Sequence, residues 1–205
     1  MQTEQTNWHR HESLARGRGF SRVCGIDEAG RGPLAGPVCA AAVVLPEGLL
    51  IPGLNDSKKL SEKKREQLFG IITEQALDYS IAFASAAEID EINVLQATFL
   101  AMRRAVSGLR EPPDFALVDG NLDPKLGLMT ECIIGGDGKS ASIAAASVLA
   151  KVSRDRLMLE LDAQYPGYGF VRHKGYGTKA HYAALEALGL CPEHRRSFLK
   201  KLHGV

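Results

Sequence analysis

Three places in the 205-residue chain put carboxylates where an apolar run ends and a glycine follows: Asp27-Glu28 ahead of Gly30, Asp119 ahead of Gly120, and Asp137 ahead of Gly138. Acids that close strands in an α/β protein gather at one edge of the sheet, where sites are usually built. Each glycine allows a sharp turn there and leaves room for a ligand to approach the backbone. Taken singly, an Asp before Gly can equally be a turn cap. Taken together, four carboxylates repel one another unless a cation neutralises them. An oxygen-only donor set, with no His or Cys beside it, selects a hard ion such as Mg²⁺ or Mn²⁺ over zinc. Two such ions about 4 Å apart are a standard apparatus for phosphodiester hydrolysis: one activates water and the other stabilises the leaving oxygen. There is one geometric obstacle. Adjacent strand residues point to opposite faces, so Asp27 and Glu28 share a site only if the strand ends or bulges, which Gly30 and Gly32 permit.

The elements that must position these groups are readable from periodicity and punctuation. Arg22 to Asp27 and Pro37 to Leu45 read as strands joined through a Gly-rich turn. Residues 61–74 predict a helix with Ser61 as N-cap. Tyr79 to Ser85 alternates like a strand, and Glu88 to Leu109 holds one or two helices ended by Gly108 and Pro112-Pro113. Phe115 to Val118 and Glu131 to Ile134 are short apolar strands that lead into Asp119 and Asp137. Ser142 to Tyr165 predicts a long helix, Ala-rich in its first half, and Thr178 to Leu188 another, stopped by Gly189. The expectation is a single α/β domain over residues 21–205, a mixed central sheet flanked by helices with a C-terminal helical segment. Residues 1–20 read as a polar arm, with Trp8 disordered or loosely packed.

Composition excludes several classes. A chain that is 45% hydrophobic and 24% charged is that of an ordinary globular protein with a real core. The polar N-terminus has no apolar signal region, and no apolar run reaches the roughly 18 residues of a membrane span, so a cytoplasmic protein is expected. The four cysteines form no CxxC pair and read as reduced, mostly buried thiols. Net charge is only +1, but residues 151–205 carry ten Lys or Arg against five Asp or Glu. A second basic run spans Lys58, Lys59, Lys63, Lys64 and Arg65. Each is a solvated face or a groove that tracks phosphates, and charge alone does not decide.

The segment Gly25-Ile26-Asp27-Glu28-Ala29-Gly30-Arg31-Gly32-Pro33-Leu34-Ala35-Gly36-Pro37-Val38 resembles the opening motif of the prokaryotic ribonuclease HII family. The resemblance continues through Asn55-Asp56-Ser57-Lys58, Val118-Asp119-Gly120, Gly136-Asp137-Gly138-Lys139-Ser140, the run Ala145 to Arg156, and His173-Lys174-Gly175-Tyr176-Gly177-Thr178. It covers about residues 22 to 200. It implies a ribonuclease H-like fold and a divalent-metal endonuclease acting on RNA–DNA hybrids and on single ribonucleotides embedded in duplex DNA. Asp27, Glu28, Asp119 and Asp137 match the family's four catalytic carboxylates. Gly30-Arg31-Gly32 matches its ribose-sensing motif, which suits backbone groups that must come close to a 2′-hydroxyl. Tyr176 matches its junction-recognising tyrosine, and Tyr168 reads as structural. Lys58, and likewise Lys139 with Ser140, stand just ahead of helices where a cation and backbone N–H groups would hold a phosphate, or else serve as capping turns. Among the histidines only His173 is expected near substrate.

A junction resolvase of the same fold would share the acids but needs no reader of a 2′-hydroxyl. The sister family ribonuclease HIII carries an extra N-terminal domain, for which the roughly 20 residues before the first strand are too few. A non-catalytic binder of hybrids should have lost a carboxylate, and none is lost. A monomer is expected. A sliding clamp stays open as a partner, although the C-terminus shows no clear clamp-binding peptide.

Overall fold

The computed structural model describes residues 8–200. The C-terminal residues 201–205, which bear on a clamp-binding peptide, lie outside the described residues. In chain order the elements are α1 (Arg10–Gly17), β1 (Val23–Ala29), β2 (Val38–Val44), α2 (Glu62–Gln75), β3 (Asp78–Ala84), α3 (Ala86–Ser107), β4 (Phe115–Asp119), β5 (Met129–Ile133), α4 (Ala141–Gln164), α5 (Phe170–His173), α6 (Lys179–Leu188) and α7 (Arg196–Leu199). The five strands form one mixed sheet in the order β3-β2-β1-β4-β5. β1, β2 and β3 pair antiparallel, whereas β4 runs parallel to β1, and β5 parallel to β4.

Alternation along the strands divides the core. Ile26, Ala40, Ala42 and Val118 face α3, whereas Cys39, Ala41 and Val43 face α4 and α2. The alanine-rich first half of α4 explains how close that helix comes. Ala144, Ala145, Ala146 and Ala150 are fully buried and leave no bulk between helix and sheet.

The cap expected at Ser61 is present, where the side chain accepts the N–H of Lys64. Ser140 caps α4 by accepting the N–H of Ile143, and Thr178 caps α6 by accepting that of His181. The segment that reads as one or two helices is one helix broken at Asn93, which sits at φ 68° and ψ 162°. Its side chain accepts the N–H groups of Leu95 and Gln96, re-capping the second half.

From Arg10 the N-terminal arm is helical, and Glu12 and Ala15 of that helix are buried. Glu12 Oε1 accepts from Ser140 Oγ and Ser142 Oγ at 2.7 Å and from Ser142 N at 3.0 Å. Trp8 is not loose: its carbonyl accepts the N–H of Ala141, and its side chain packs against the α4-side core. All four cysteines are free, and three of them are buried, as expected. Among the described residues no helix is long and apolar enough to cross a membrane.

Candidate active site

Cys24 and Ile26 point into the α3-side core, so Asp27 faces α4 and Glu28 faces away from it. β1 neither ends nor bulges at these two residues, contrary to the sequence expectation. Asp27 stands in register with Ala41 and Glu28 with Ala40. The site opens on the other flank instead. Pairing with β4 stops at Ile26 and Val118, so β1 overhangs its parallel neighbour from Asp27 to Ala29. Glu28 lines the same pocket as Asp27 by way of that open flank.

Asp119 is the last residue of β4, and its Oδ1 accepts the N–H of Gly136 at 2.7 Å. Gly135, in the left-handed region at φ 64°, swings the chain after β5 into a short helical turn that presents Asp137. Asp27, Asp119 and Asp137 thereby each offer an oxygen, and these oxygens lie within 4.8 Å of one another. Asp27 and Asp137 are buried.

The electrostatics of this cluster are those of carboxyls crowded together and withdrawn from water. Burial first, then the charges of Glu28 and Asp119, hold the Asp27 carboxyl well above the usual carboxylate range, against hydrogen bonds from Ser147 and the Glu28 N–H. Burial also raises Glu28, partly offset by Arg31 at 3.4 Å. Asp137 is raised by burial, Asp119 and Asp56, and opposed by Lys58 at 3.4 Å. Burial pulls the Lys58 ammonium down, but Asp137, Asp27 and Asp56 outweigh it and the net shift is up. Carboxyls that resist ionisation in the bare protein are what a divalent cation reverses, because metal binding favours the deprotonated ligands. The oxygen-only donor set fits Mg²⁺ or Mn²⁺.

Of the residues singled out in the sequence, Glu28, Gly30, Arg31, Gly32, Lys58, Asp119 and Tyr176 line one pocket of about 220 Å³ with Asp27. Gly32 faces the Tyr176 ring closely enough that a Cβ there would touch it at 3.6 Å. Tyr176 is 46% exposed, and Tyr168 is buried, the latter as expected. Lys139 stands apart. Its Nζ donates to the Ile134 carbonyl at 2.6 Å, and it does not line the pocket. Ser140 is fully buried, and the Glu12 carboxylate already accepts from Ser140 Oγ and the Ser142 N–H at the start of α4.

His173 also differs from expectation. It does not line the pocket but braces the loop behind it: Nε2 donates to the Tyr168 carbonyl, and Nδ1 accepts the Gly175 N–H. Its ring stacks on His181 at 4.4 Å. Carbonyls only accept, so His181 carries its proton on Nδ1, toward the Tyr176 carbonyl at 3.0 Å. His181 Nε2 then accepts from His194 Nε2, also at 3.0 Å, while His194 Nδ1 accepts the Cys191 N–H. The three rings are thus neutral. Burial, then His181, pulls His194 down to about 4.

That shift carries a stability consequence. A histidine depressed in the folded state binds its proton more tightly when unfolded, so stability is lost as pH falls from about 6.5 toward 4. Urea unfolding should show wild type losing about 2 kcal/mol more than His194→Gln between pH 7 and 4.5. Parallel pH dependences in the two proteins would remove His194 as the acid-sensitive group.

Sequence reasoning missed Ser57, Lys151 and Arg154 in the pocket wall, and Ser147 beside Asp27. A signal was present, since Ser147, Lys151 and Arg154 follow at helical spacings of four and three on one face of α4.

The described geometry has close counterparts. The ribonuclease HII family model matches residues 24–202. The chain is 62% identical to the ribonuclease HII of Endomicrobium trichonymphae over 182 residues, 88% of this chain and 87% of that one. It is 64% identical to that of Dechloromonas aromatica over 176 residues, 86% of this chain and 90% of that one. The solved ribonuclease H2 of Pyrococcus horikoshii OT3 superposes with a TM-score of 0.73 at 30% identity, covering 86% of this chain and 93% of that one. With the carboxylates of β1, β4 and the turn after β5 gathered as described, the chain belongs to the ribonuclease HII family.

Proposed function

We propose that this chain is a metal-dependent endoribonuclease that hydrolyses the RNA strand of RNA–DNA hybrids. In the same reading it nicks duplex DNA on the 5′ side of a single embedded ribonucleotide, leaving a 3′-hydroxyl and a 5′-phosphate. Its place in the cell would be ribonucleotide removal from DNA and RNA primer removal. The observation that carries the reading is the single pocket that joins Asp27, Asp119, Gly30–Gly32 and Tyr176, with Asp137 completing the acidic cluster.

Asp27, Glu28, Asp119 and Asp137 would hold two Mg²⁺ or Mn²⁺ ions. When bound, such a pair supplies an activated water and neutralises charge at the leaving oxygen. The chain's own groups do the rest. Asp119 is kept in place by the Gly136 N–H, and Asp27 by the Glu28 N–H at 2.7 Å. Lys58, whose side chain is 75% exposed beyond its contact with Asp137, is the cation placed to take a backbone phosphate. Gly30-Arg31-Gly32 presents backbone to the sugar, where the 2′-hydroxyl distinguishes RNA from DNA. Tyr176 offers its exposed ring to the sugar beyond the cut.

The test is cleavage of a labelled DNA duplex holding one ribonucleotide, with Mg²⁺, Mn²⁺ or chelator. A metal-dependent nick 5′ of the ribonucleotide, absent from all-DNA duplex, is expected. Digestion of a long hybrid without that nick would limit the activity to continuous RNA, and no cleavage of either would overturn the proposal. On the same duplex Tyr176→Ala should cut roughly 10- to 100-fold more slowly, the range for a lost substrate-positioning contact. Its melting temperature should stay close to wild type, since the ring is half exposed. An unchanged rate would exclude Tyr176 from substrate contact.

A further inference from the structure

Two arginines are fully buried at the pocket, Arg154 of α4, which forms part of its wall, and Arg195 just before α7. Buried cations are costly unless every donor is satisfied. Here all six bonds go to backbone carbonyls rather than to carboxylates. Arg195 donates from Nε to Gly36, from Nη1 to Arg31 and from Nη2 to Gly30. Arg154 donates from Nε to Pro37, from Nη2 to Ala35 and from Nη1 to Lys174. Five of the six acceptors belong to the loop that follows Glu28, and the sixth lies two residues before Tyr176.

The fit leaves no slack. A Cβ at Gly30 would lie 2.0 Å from Arg154 Nε, and one at Gly175 would lie 2.5 Å from the Ala35 carbonyl oxygen. The Leu34 N–H donates to the Gly175 carbonyl at 2.8 Å, and the Arg195 N–H to the Leu34 carbonyl at the same distance, so both loops and the C-terminal segment meet at this point. Burial, then the neighbouring Arg154, pulls Arg195 down to about 9. An apolar side chain would fill the space with less desolvation cost but would leave these carbonyls unsatisfied. A planar fork is the side chain that can hold several carbonyls at fixed angles.

We propose that Arg154 and Arg195 are positioning residues that hold the Gly30–Gly32 backbone and the Tyr176 loop at a fixed spacing from the carboxylate cluster. Neither touches substrate in this scheme. They set the register in which a ribose seated on the loop meets Asp27 and Asp119. The inference rests on the proposed reading of Gly30–Gly32 as the sugar contact.

The test uses Arg195→Met, which fills the volume without donors, and Arg195→Lys, which keeps a cation but only a point donor. With the one-ribonucleotide duplex and saturating enzyme, the single-turnover rate should fall about 100-fold in Arg195→Met and about 10-fold in Arg195→Lys, the range for roughly 1 Å misplacement of a reacting group. Duplex affinity should change less than about threefold, because phosphate contacts supply most of it. Simple destabilisation would leave the rate of the folded fraction at wild type once enzyme is saturating, so a wild-type rate in a folded variant overturns the inference. Should Arg195→Met fail to fold, Arg195→Lys decides alone. Hydrogen exchange of the loop amides 30–36 is read in parallel, and those amides should exchange at least about tenfold faster in Arg195→Lys than in wild type while β2 is unchanged. Unchanged loop exchange counts equally against the inference. A wild-type enzyme that fails to cut at the ribonucleotide defeats the sugar-reading assignment instead, and the exchange measurement still decides whether Arg195 holds the loop.

Discussion

Asp27→Asn should abolish cleavage and, in chelator, make the protein more stable. Asn keeps the volume and can keep accepting the Glu28 N–H, but it removes the charge that would hold the cation. Loss of several kcal/mol of transition-state stabilisation corresponds to a fall on the order of 10³-fold or more. The stability gain follows from the pKa direction. Burial, Glu28 and Asp119 raise the Asp27 carboxyl in the folded state, so the native protein holds that proton more tightly than the unfolded chain does. Wild-type stability therefore falls as pH rises from about 4 through the raised folded value, and Asn removes that loss. Above that window the variant should melt about 2–4 °C higher for each kcal/mol recovered in a chain of this length, and at pH 3.5 the two should coincide. Mg²⁺ should raise the wild-type melting temperature and leave the variant's nearly unchanged. Activity equal to wild type would take Asp27 out of the metal site. A variant less stable than wild type at neutral pH would mean that the carboxylate's hydrogen bonds outweigh the repulsion.

Much of this arrangement was legible in the sequence because its causes are local. Ser61 marks the start of α2 by its own hydroxyl, and the alanine-rich first half of α4 marks it as a helix. The acids showed themselves through their position at the ends of apolar runs. What could not be read depends on partners far away in the chain. Asp27 and Glu28 share a pocket because β4 pairs no further than Val118, a matter of register some 90 residues on. The N-terminal segment reads as a polar arm, yet Glu12 is buried and held by Ser140 and Ser142. Arg154 and Arg195 look in sequence like surface cations, and only the fold shows that they are enclosed by backbone carbonyls. His173 stands in a basic, glycine-flanked loop and so reads as a substrate contact. Its ring instead joins His181 and His194 in a neutral chain that supports the Tyr176 backbone.

Gly25→Ala tests the closeness on which the site depends. A Cβ at position 25 would lie 2.1 Å from the Ser142 carbonyl carbon and 2.3 Å from the Ile143 nitrogen. Both are backbone atoms, so no side chain can swing aside, and β1 and α4 must separate. Overpacking of this kind costs about 3 kcal/mol or more, which predicts a melting temperature lowered by about 6–12 °C. The effect on chemistry should exceed the effect on folding. α4 brings Ser147 beside Asp27 and anchors Arg154 under the Gly30 turn, so moving the helix off the strand disturbs the carboxylates and the Gly30–Gly32 loop together. Measured well below the variant's melting temperature, cleavage of the one-ribonucleotide duplex should fall by about 100-fold. Excess Mn²⁺ should restore it only in part, since metal binding repairs the carboxylate geometry but not the loop. A variant that melts like wild type would show that α4 can shift without cost. One that is destabilised yet fully active when folded would mean that the site tolerates a change in helix–strand spacing, and that Asp27 and the loop are held by their own hydrogen bonds rather than by α4.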